Sequence, residues 1–196
     1  MAKENKSRYA IMGMLALRAA SGYQIKKMME ESTSNFWSES YGQIYPILKQ
    51  LTRDGLATSQ TEKQEGKPDS HIYTLTEQGT EELISWLGET VDEAPERIEI
   101  LLKLFFGHLL PIETNIKHIQ HFQQLQEKLL QKYKEIEAHL RQGIQECEPA
   151  EQREKYGLIT VRFGIHRCQA FLAWCEETLE ALREIAKKKS QDTTGS

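Results

Sequence analysis

The stretch Ser40-Tyr41-Gly42-Gln43-Ile44-Tyr45-Pro46-Ile47-Leu48-Lys49-Gln50-Leu51 decides the fold. Ile44, Ile47, Leu48 and Leu51 recur with helical spacing and form one apolar back. Tyr41, Gln43, Tyr45 and Lys49 fall on the other face, where they can hydrogen-bond but do not suit a core. Proline lacks an N–H and clashes with the carbonyl four residues earlier, so it is tolerated only near a helix start. Pro46 therefore predicts a helix beginning near Tyr41 or Gly42, with Ser40 as its cap. Tyr41 and Gln43 then form the leading tip.

The neighbouring segments extend the pattern in both directions. Downstream, Gly55-Leu56 is a helix stop. Residues 57–62 and 71–76 read as two short strands around the turn Gln64-Glu65-Gly66-Lys67-Pro68-Asp69-Ser70. Thr76 caps a helix over about 77–91, whose apolar side is Leu83, Ile84, Trp86 and Leu87. Upstream, residues 8–20 predict a buried helix. Ser21 caps a second helix to about Glu31, with Ile25, Met28 and Met29 inward. Thr33-Ser34-Asn35 breaks that helix, and Phe36 and Trp37 are expected in the core. A polar-faced helix followed by a β-hairpin is the layout of a winged helix-turn-helix, so DNA binding is the first function to test.

Asp92-Glu93-Ala94-Pro95 marks the expected domain boundary, beyond which only helical patterns occur. Residues 96–109 are apolar on most of a helix circumference and are expected to be buried. Residues 112–146 predict an amphipathic helix on the order of 50 Å long. Glu148-Pro149 breaks the chain before a last helix over about 150–187, apolar almost all round in its middle. The two earlier helices cannot cover it on every side, so a second copy of the chain is the expected cover. The polar tail 189–196 is expected to be disordered.

Bulk composition fits this organisation. The chain has 196 residues, 28% charged and 39% hydrophobic, the balance of a globular protein. Its three cysteines, Cys147, Cys168 and Cys175, form no framework, and the N-terminus has no apolar signal core, so a cytoplasmic location is expected. Net charge is −4, unevenly distributed. Residues 1–76 hold 10 Lys+Arg against 8 Asp+Glu, and the remainder 15 against 21. A DNA-binding N-terminal part and an acidic C-terminal part would produce that asymmetry.

Enzyme chemistry is poorly served. There is no GxSxG elbow, phosphate-cradling glycine loop or HExxH pair. No catalytic residue, cofactor or metal is expected. His118 and His121 lack a third ligand at suitable spacing, and Cys168 and Cys175 lie two helical turns apart. The expected DNA-binding set is Tyr9, Ser40, Tyr41, Gln43, Tyr45, Lys49 and Lys67. Glu62, Glu65 and Asp69 outnumber Lys63 and Lys67 in the hairpin, so its wing should release few counterions. Tyr156, Arg162, Phe163, His166 and Trp174 are candidates for an aromatic-accepting effector site, with Arg162 or Arg167 to pair a carboxylate.

Several of these residues carry a likeness to a known family. Ile11-x-Gly13-x-Leu15-Ala16-Leu17, Ser21-Gly22-Tyr23-x-Ile25, Phe36-Trp37 and Gln43-Ile44-Tyr45-Pro46-x-Leu48-x-x-Leu51 with Gly55-Leu56 resemble the PadR family of bacterial transcriptional regulators. Tyr73-x-Leu75-Thr76-x-x-Gly79 and Leu83-x-x-Trp86-Leu87 continue the resemblance, and Leu101-x-x-x-Phe105-Phe106 with Phe171-x-x-Trp174 is similar to its longer, PadR-proper subgroup. The resemblance implies a homodimeric repressor on an inverted-repeat operator, released by small aromatic or drug-like molecules. Gly66-Lys67-Pro68-Asp69-Ser70-His71 departs from the more basic wings of that family.

The expected protein is thus mostly α. Residues 1–92 form a winged helix-turn-helix with a β-hairpin wing, and 93–188 a helical dimerisation and effector domain. It would act as a homodimeric repressor on double-stranded operator DNA, without a membrane partner. A winged-helix protein-interaction module and a thiol- or metal-based sensor are the alternatives.

Overall fold

The structure is a computed structural model that describes residues 6–34, 36–62, 70–91, 96–146 and 151–194. The chain divides into two compact units, Met1–Glu93 and Ala94–Ser196. Lys67 lies outside the described residues, as do Lys63, Glu65, Asp69 and Cys147.

The first unit runs α1 (Ser7–Leu17), α2 (Gly22–Glu31), α3 (Tyr41–Arg53), β1 (Ala57–Glu62), β2 (Ser70–Leu75) and α4 (Glu77–Leu87). Ile11, Met12, Ile25, Met29, Ile44, Leu48, Leu51 and Leu56 are fully buried together. Each such side chain contributes roughly 1.5–3 kcal/mol by leaving water. Helix α1 stops earlier than its apolar run suggests, because Ala20 joins the sheet. Its N–H donates to the Tyr73 carbonyl and its carbonyl accepts from the Tyr73 N–H, both at 3.0 Å. Strands β1 and β2 pair antiparallel from Ala57↔Leu75 to Glu62↔Ser70.

Two core expectations need correction. Phe36 is 53% exposed, and only Trp37 packs on the core, its indole N–H donating to Glu39 Oε1 at 3.0 Å. On α4, Leu83 is buried and Trp86 partly so, whereas Ile84 and Leu87 point outward. Gly79, Leu83 and Trp86 share the inward stripe, and Ile84 and Leu87 lie off it.

The junction between α3 and α4 is tight. Gly55, at φ +76°, closes α3 in a Schellman turn, with Leu56 N–H donating to Leu51 O at 2.9 Å and Gly55 N–H to Thr52 O at 3.3 Å. Thr76 then ties the two helices. Its hydroxyl donates to Gly55 O at 2.8 Å and accepts from Gly79 N–H at 3.0 Å, while its own N–H donates to Leu56 O at 3.0 Å. A methyl group on Gly79 would collide with the Leu56 carbonyl oxygen.

The second unit contains α5 (Glu99–Phe105), a 3-10 turn (Gly107–Leu109), α6 (Ile112–Glu146) and α7 (Glu151–Thr194). The helix expected over 96–109 is therefore shorter, and buried Asn115 holds its end by donating to Gly107 O at 2.8 Å. Helices α6 and α7 form an antiparallel pair. Ile119 packs with Cys175 and Leu179, while Tyr133, farther along α6, packs with Ile165 and Cys168. Gly164 admits the Tyr133 ring, since a Cβ there would lie 2.6 Å from Tyr133 Cε1. Helix α7 continues through Lys187-Lys188-Lys189 to Thr194, into the segment expected to be a disordered tail.

One side of this unit stays uncovered within the chain. On α5, Leu101, Leu102 and Phe105 are exposed, as is Phe106 just after it, contrary to the expected burial, because α5 turns only Ile100 and Leu104 onto the core of this unit. On α7, Tyr156, Ile159 and Phe163 are exposed at steps of three and four, and His166, Ala170 and Ala173 continue the line. Among the described residues, no helix is long and apolar enough to cross a membrane.

Candidate nucleic-acid interface

Helices α2 and α3 form the helix-turn-helix, and both begin with the same device. Each opens on Ser-x-x-Gln, in which the glutamine side chain accepts from the serine N–H, and in α2 the serine hydroxyl also accepts from the glutamine N–H. In α2, Ser21 N–H donates to Gln24 Oε1 at 2.8 Å, and Ser21 Oγ accepts from Gln24 N–H at 3.3 Å. In α3, Gln43 Oε1 accepts from Ser40 N–H at 3.0 Å and from Ser40 Oγ at 2.9 Å.

That geometry changes the part assigned to two expected contact residues. Ser40 is the N-cap of α3 and holds Gln43. The Gln43 side chain folds back over the helix start, with Oε1 engaged and Nε2 left as a donor. A glutamine read from sequence as a base reader is thus also part of the helix cap.

Pro46 also requires a correction. It is the sixth residue of α3, in the second turn, and not at the start. The helix nevertheless begins at Tyr41, because the Ser40 cap sets that end. The helical hydrogen bond from residue 46 to the Gly42 carbonyl is consequently missing.

Around this tip, Tyr41 and Tyr45 are each 43% exposed and Lys49 is exposed. Their helix rests on Ile44, Ile47, Leu48 and Leu51, which are buried, so the outward face is firmly seated. Desolvation first, and then the Glu30 carboxylate, push the Tyr41 phenol above its ordinary range. Tyr9 does not belong to this face. It is buried, stacked on Trp86 at 4.4 Å and 5° between planes, with Arg8 over its ring and Arg8 paired to Glu82 at 2.7 Å. Its ring packs α1 against α4.

Tyr23 was missed by sequence reasoning. It is 61% exposed at the start of α2 and stacks on Tyr41, with centroids 6.4 Å apart and 5° between planes. The signal lay in the shared pattern Ser21-Gly22-Tyr23-Gln24 and Ser40-Tyr41-Gly42-Gln43.

The proposed effector residues do not converge within one chain. Tyr156, Arg162, Phe163 and His166 are exposed along α7, whereas Trp174 turns inward and meets Phe122 edge-on at 6.2 Å. Arg167 pairs with Glu96 at 3.4 Å. Cys168 and Cys175 are buried, and burial raises both thiols, which disfavours the reactive thiolate. Among the described residues, no group of three or more His, Cys, Asp and Glu side chains is placed to hold a metal ion.

Comparison with known proteins identifies this architecture. Residues 11–85 match the model of the Transcriptional regulator PadR-like family, and residues 96–183 match that of the Virulence activator alpha C-term. The negative transcriptional regulator PadR of Bacillus subtilis (strain 168) is 41% identical over 101 residues, 50% of this chain and 55% of that protein. The matched stretch therefore spans little more than half of that relative. The crystal structure of Bacillus subtilis PadR in complex with operator DNA is similar with a TM-score of 0.80 and 26% identity, covering 92% of this chain and 99% of that one. The same protein in complex with p-coumaric acid gives a TM-score of 0.71 and 25% identity, covering 90% and 98%. With a helix-turn-helix, a hairpin and C-terminal helices following one another in that order, the chain shares the architecture of the PadR-like transcriptional regulators, and its residues 11–85 match that family's model.

Proposed function

We propose that this protein is a homodimeric repressor that binds an inverted-repeat operator through α3 and is released by a small aromatic effector. The observation that carries the DNA reading is the tip of α3. It presents Tyr41, Gln43 Nε2 and Tyr45 outward from a buried apolar back, at the helix end that meets base edges in helix-turn-helix docking, with Lys49 exposed one turn farther along. The operator complex of the similar Bacillus subtilis protein supports it. Two such helices on one face of the duplex require half-sites about 10 bp apart or a multiple of that.

Selection of DNA from a random pool, followed by fluorescence anisotropy across a salt series, tests the reading. One palindromic motif should emerge, with affinity falling steeply as salt rises. Equal affinity for all sequences at physiological salt would reject a specific regulator, and salt-insensitive binding of a protein in place of DNA would favour an interaction module. Two substitutions divide the labour within α3. Lys49→Ala should weaken all DNA alike and reduce the salt slope by roughly 0.9 for each phosphate that is no longer neutralised. Gln43→Glu keeps the capping oxygen but removes the Nε2 donor, so helicity should persist while sequence discrimination falls by roughly 1–3 kcal/mol at the base it reads.

The effector reading draws on the p-coumaric acid complex of the relative and on the exposed aromatic line of α7. Tyr156 and Phe163 need a second surface to enclose a ligand, and a partner copy supplies one. Titrating p-coumaric acid into the protein–operator complex should release the DNA. An activating output is the second reading, favoured by the match of residues 96–183 to the virulence-activator C-terminal model, and a reporter assay with and without the protein decides the sign.

A further inference from the structure

We infer that Tyr23 of α2 is a further DNA-contacting residue, whose phenol hydroxyl donates a hydrogen bond to a backbone phosphate flanking the groove that α3 enters. The inference rests on the DNA-binding reading above and adds to it a residue on the other helix of the motif.

Three observations converge. First, Tyr23, Tyr41 and Tyr45 form one stacked row across two helices, with successive centroids 6.4 Å apart and planes 5° and 24° from parallel. Second, the row is built into the fold. A Cβ on Gly22 would lie 2.6 Å from Tyr45 Cε1 and 2.9 Å from Cζ, so the start of α2 keeps a glycine where the Tyr45 ring rests on it. Third, none of the three rings belongs to the buried core, and Tyr23 is the most exposed of them. Helix stability alone gives no reason to hold three large rings in register in water.

Docking geometry supplies the reason. When the second helix of such a motif enters the major groove, the first crosses the sugar–phosphate backbone. Tyr23, in the first turn of α2 and stacked on the tip of α3, then faces a phosphate. The stack restricts the ring before binding, so little rotamer freedom remains to be lost. A phenol differs from a lysine in one measurable respect. It is neutral, so its contact strengthens binding without displacing a counterion.

Tyr23→Phe in the full-length protein isolates the hydroxyl and preserves the stack. The melting temperature should not change. Affinity for operator and for unrelated DNA should fall by the same factor, roughly 10- to 100-fold for the two hydroxyls of a dimer, with an unaltered salt slope. A methylphosphonate scan of the operator should find one linkage whose neutralisation weakens the unsubstituted protein but not Tyr23→Phe. Unchanged affinity in Tyr23→Phe, while the unsubstituted protein still selects its operator, overturns the inference and leaves the DNA reading intact. A loss confined to operator overturns the phosphate assignment in favour of a base contact. Loss of thermal stability in proportion to affinity makes the residue structural. Failure of the unsubstituted protein to select any sequence defeats the reading on which the inference rests.

Discussion

Ile159→Glu combined with Phe163→Glu should convert the proposed dimer to monomers and lower operator affinity by roughly two to four orders of magnitude, the span over which linked binding sites exceed single ones. Both side chains are about two-thirds exposed within one chain, 65% and 64%, so neither is needed for that chain to fold. They stand one helical turn apart on α7, in the line that runs from Tyr156 to Ala173. Facing the same line of a second copy, four carboxylates would be brought together in an apolar seam, where unpaired charges cost several kcal/mol each. The heads would still bind DNA singly and weakly. Sedimentation equilibrium reads the first effect and anisotropy the second, with unchanged helicity as the control. A double variant that stays dimeric would remove the α7 line from the interface.

Gly79→Ala should cost at least the ~1–3 kcal/mol of ordinary overpacking. The obstacle is backbone, because the new methyl would meet the Leu56 carbonyl oxygen, with Leu75 Cδ1 at 2.9 Å on the other side. Relief requires α4 to move off the end of α3, which breaks the Thr76 bonds to Gly55 and Leu56 and reopens the core at Leu83. Gly42→Ala is the matched control. A Cβ there meets only Ser40 Oγ, at 3.7 Å, so the fold should gain up to about 1 kcal/mol from lower chain entropy. Urea denaturation followed by circular dichroism compares the two. Equal midpoints would show that the α3–α4 crossing has room to yield.

Periodicity made most of the architecture legible. Ser21 and Ser40 cap α2 and α3 as their positions suggest, Thr76 caps α4, and the hairpin pairs over 57–62 and 70–75. Composition misled where an apolar residue type was equated with burial. Phe36, Ile84 and Leu87 lie off the stripes that face the core, and α5 is apolar without being covered by its own chain. Tyr9 failed in the opposite sense, since a tyrosine suited to DNA is equally suited to stacking on a tryptophan far away in sequence. Gln43 was legible as polar and outward, but its backward fold onto Ser40 depends on a rotamer that no spacing reveals. Tyr23 was overlooked because its neighbour Tyr41 lies on another helix, and only the folded turn brings the rings together.

Pro46 has a bearing on operator tolerance. Helix α3 is locked at its far end by the Schellman turn and Thr76, and its body is seated on buried leucines and isoleucines. The missing bond between residues 42 and 46 removes one tie between the first turn and that body, while buried Ile44, the Ser40–Gln43 contact and the tyrosine row still hold the turn. In the proposed docking, the turn that would meet base pairs is the more compliant part of an otherwise stiff helix. Small differences in groove width among imperfect half-sites can be absorbed by bending one turn, without repacking the core. A regulator docked this way should accept a graded series of related operators, ranked by how far that turn must yield.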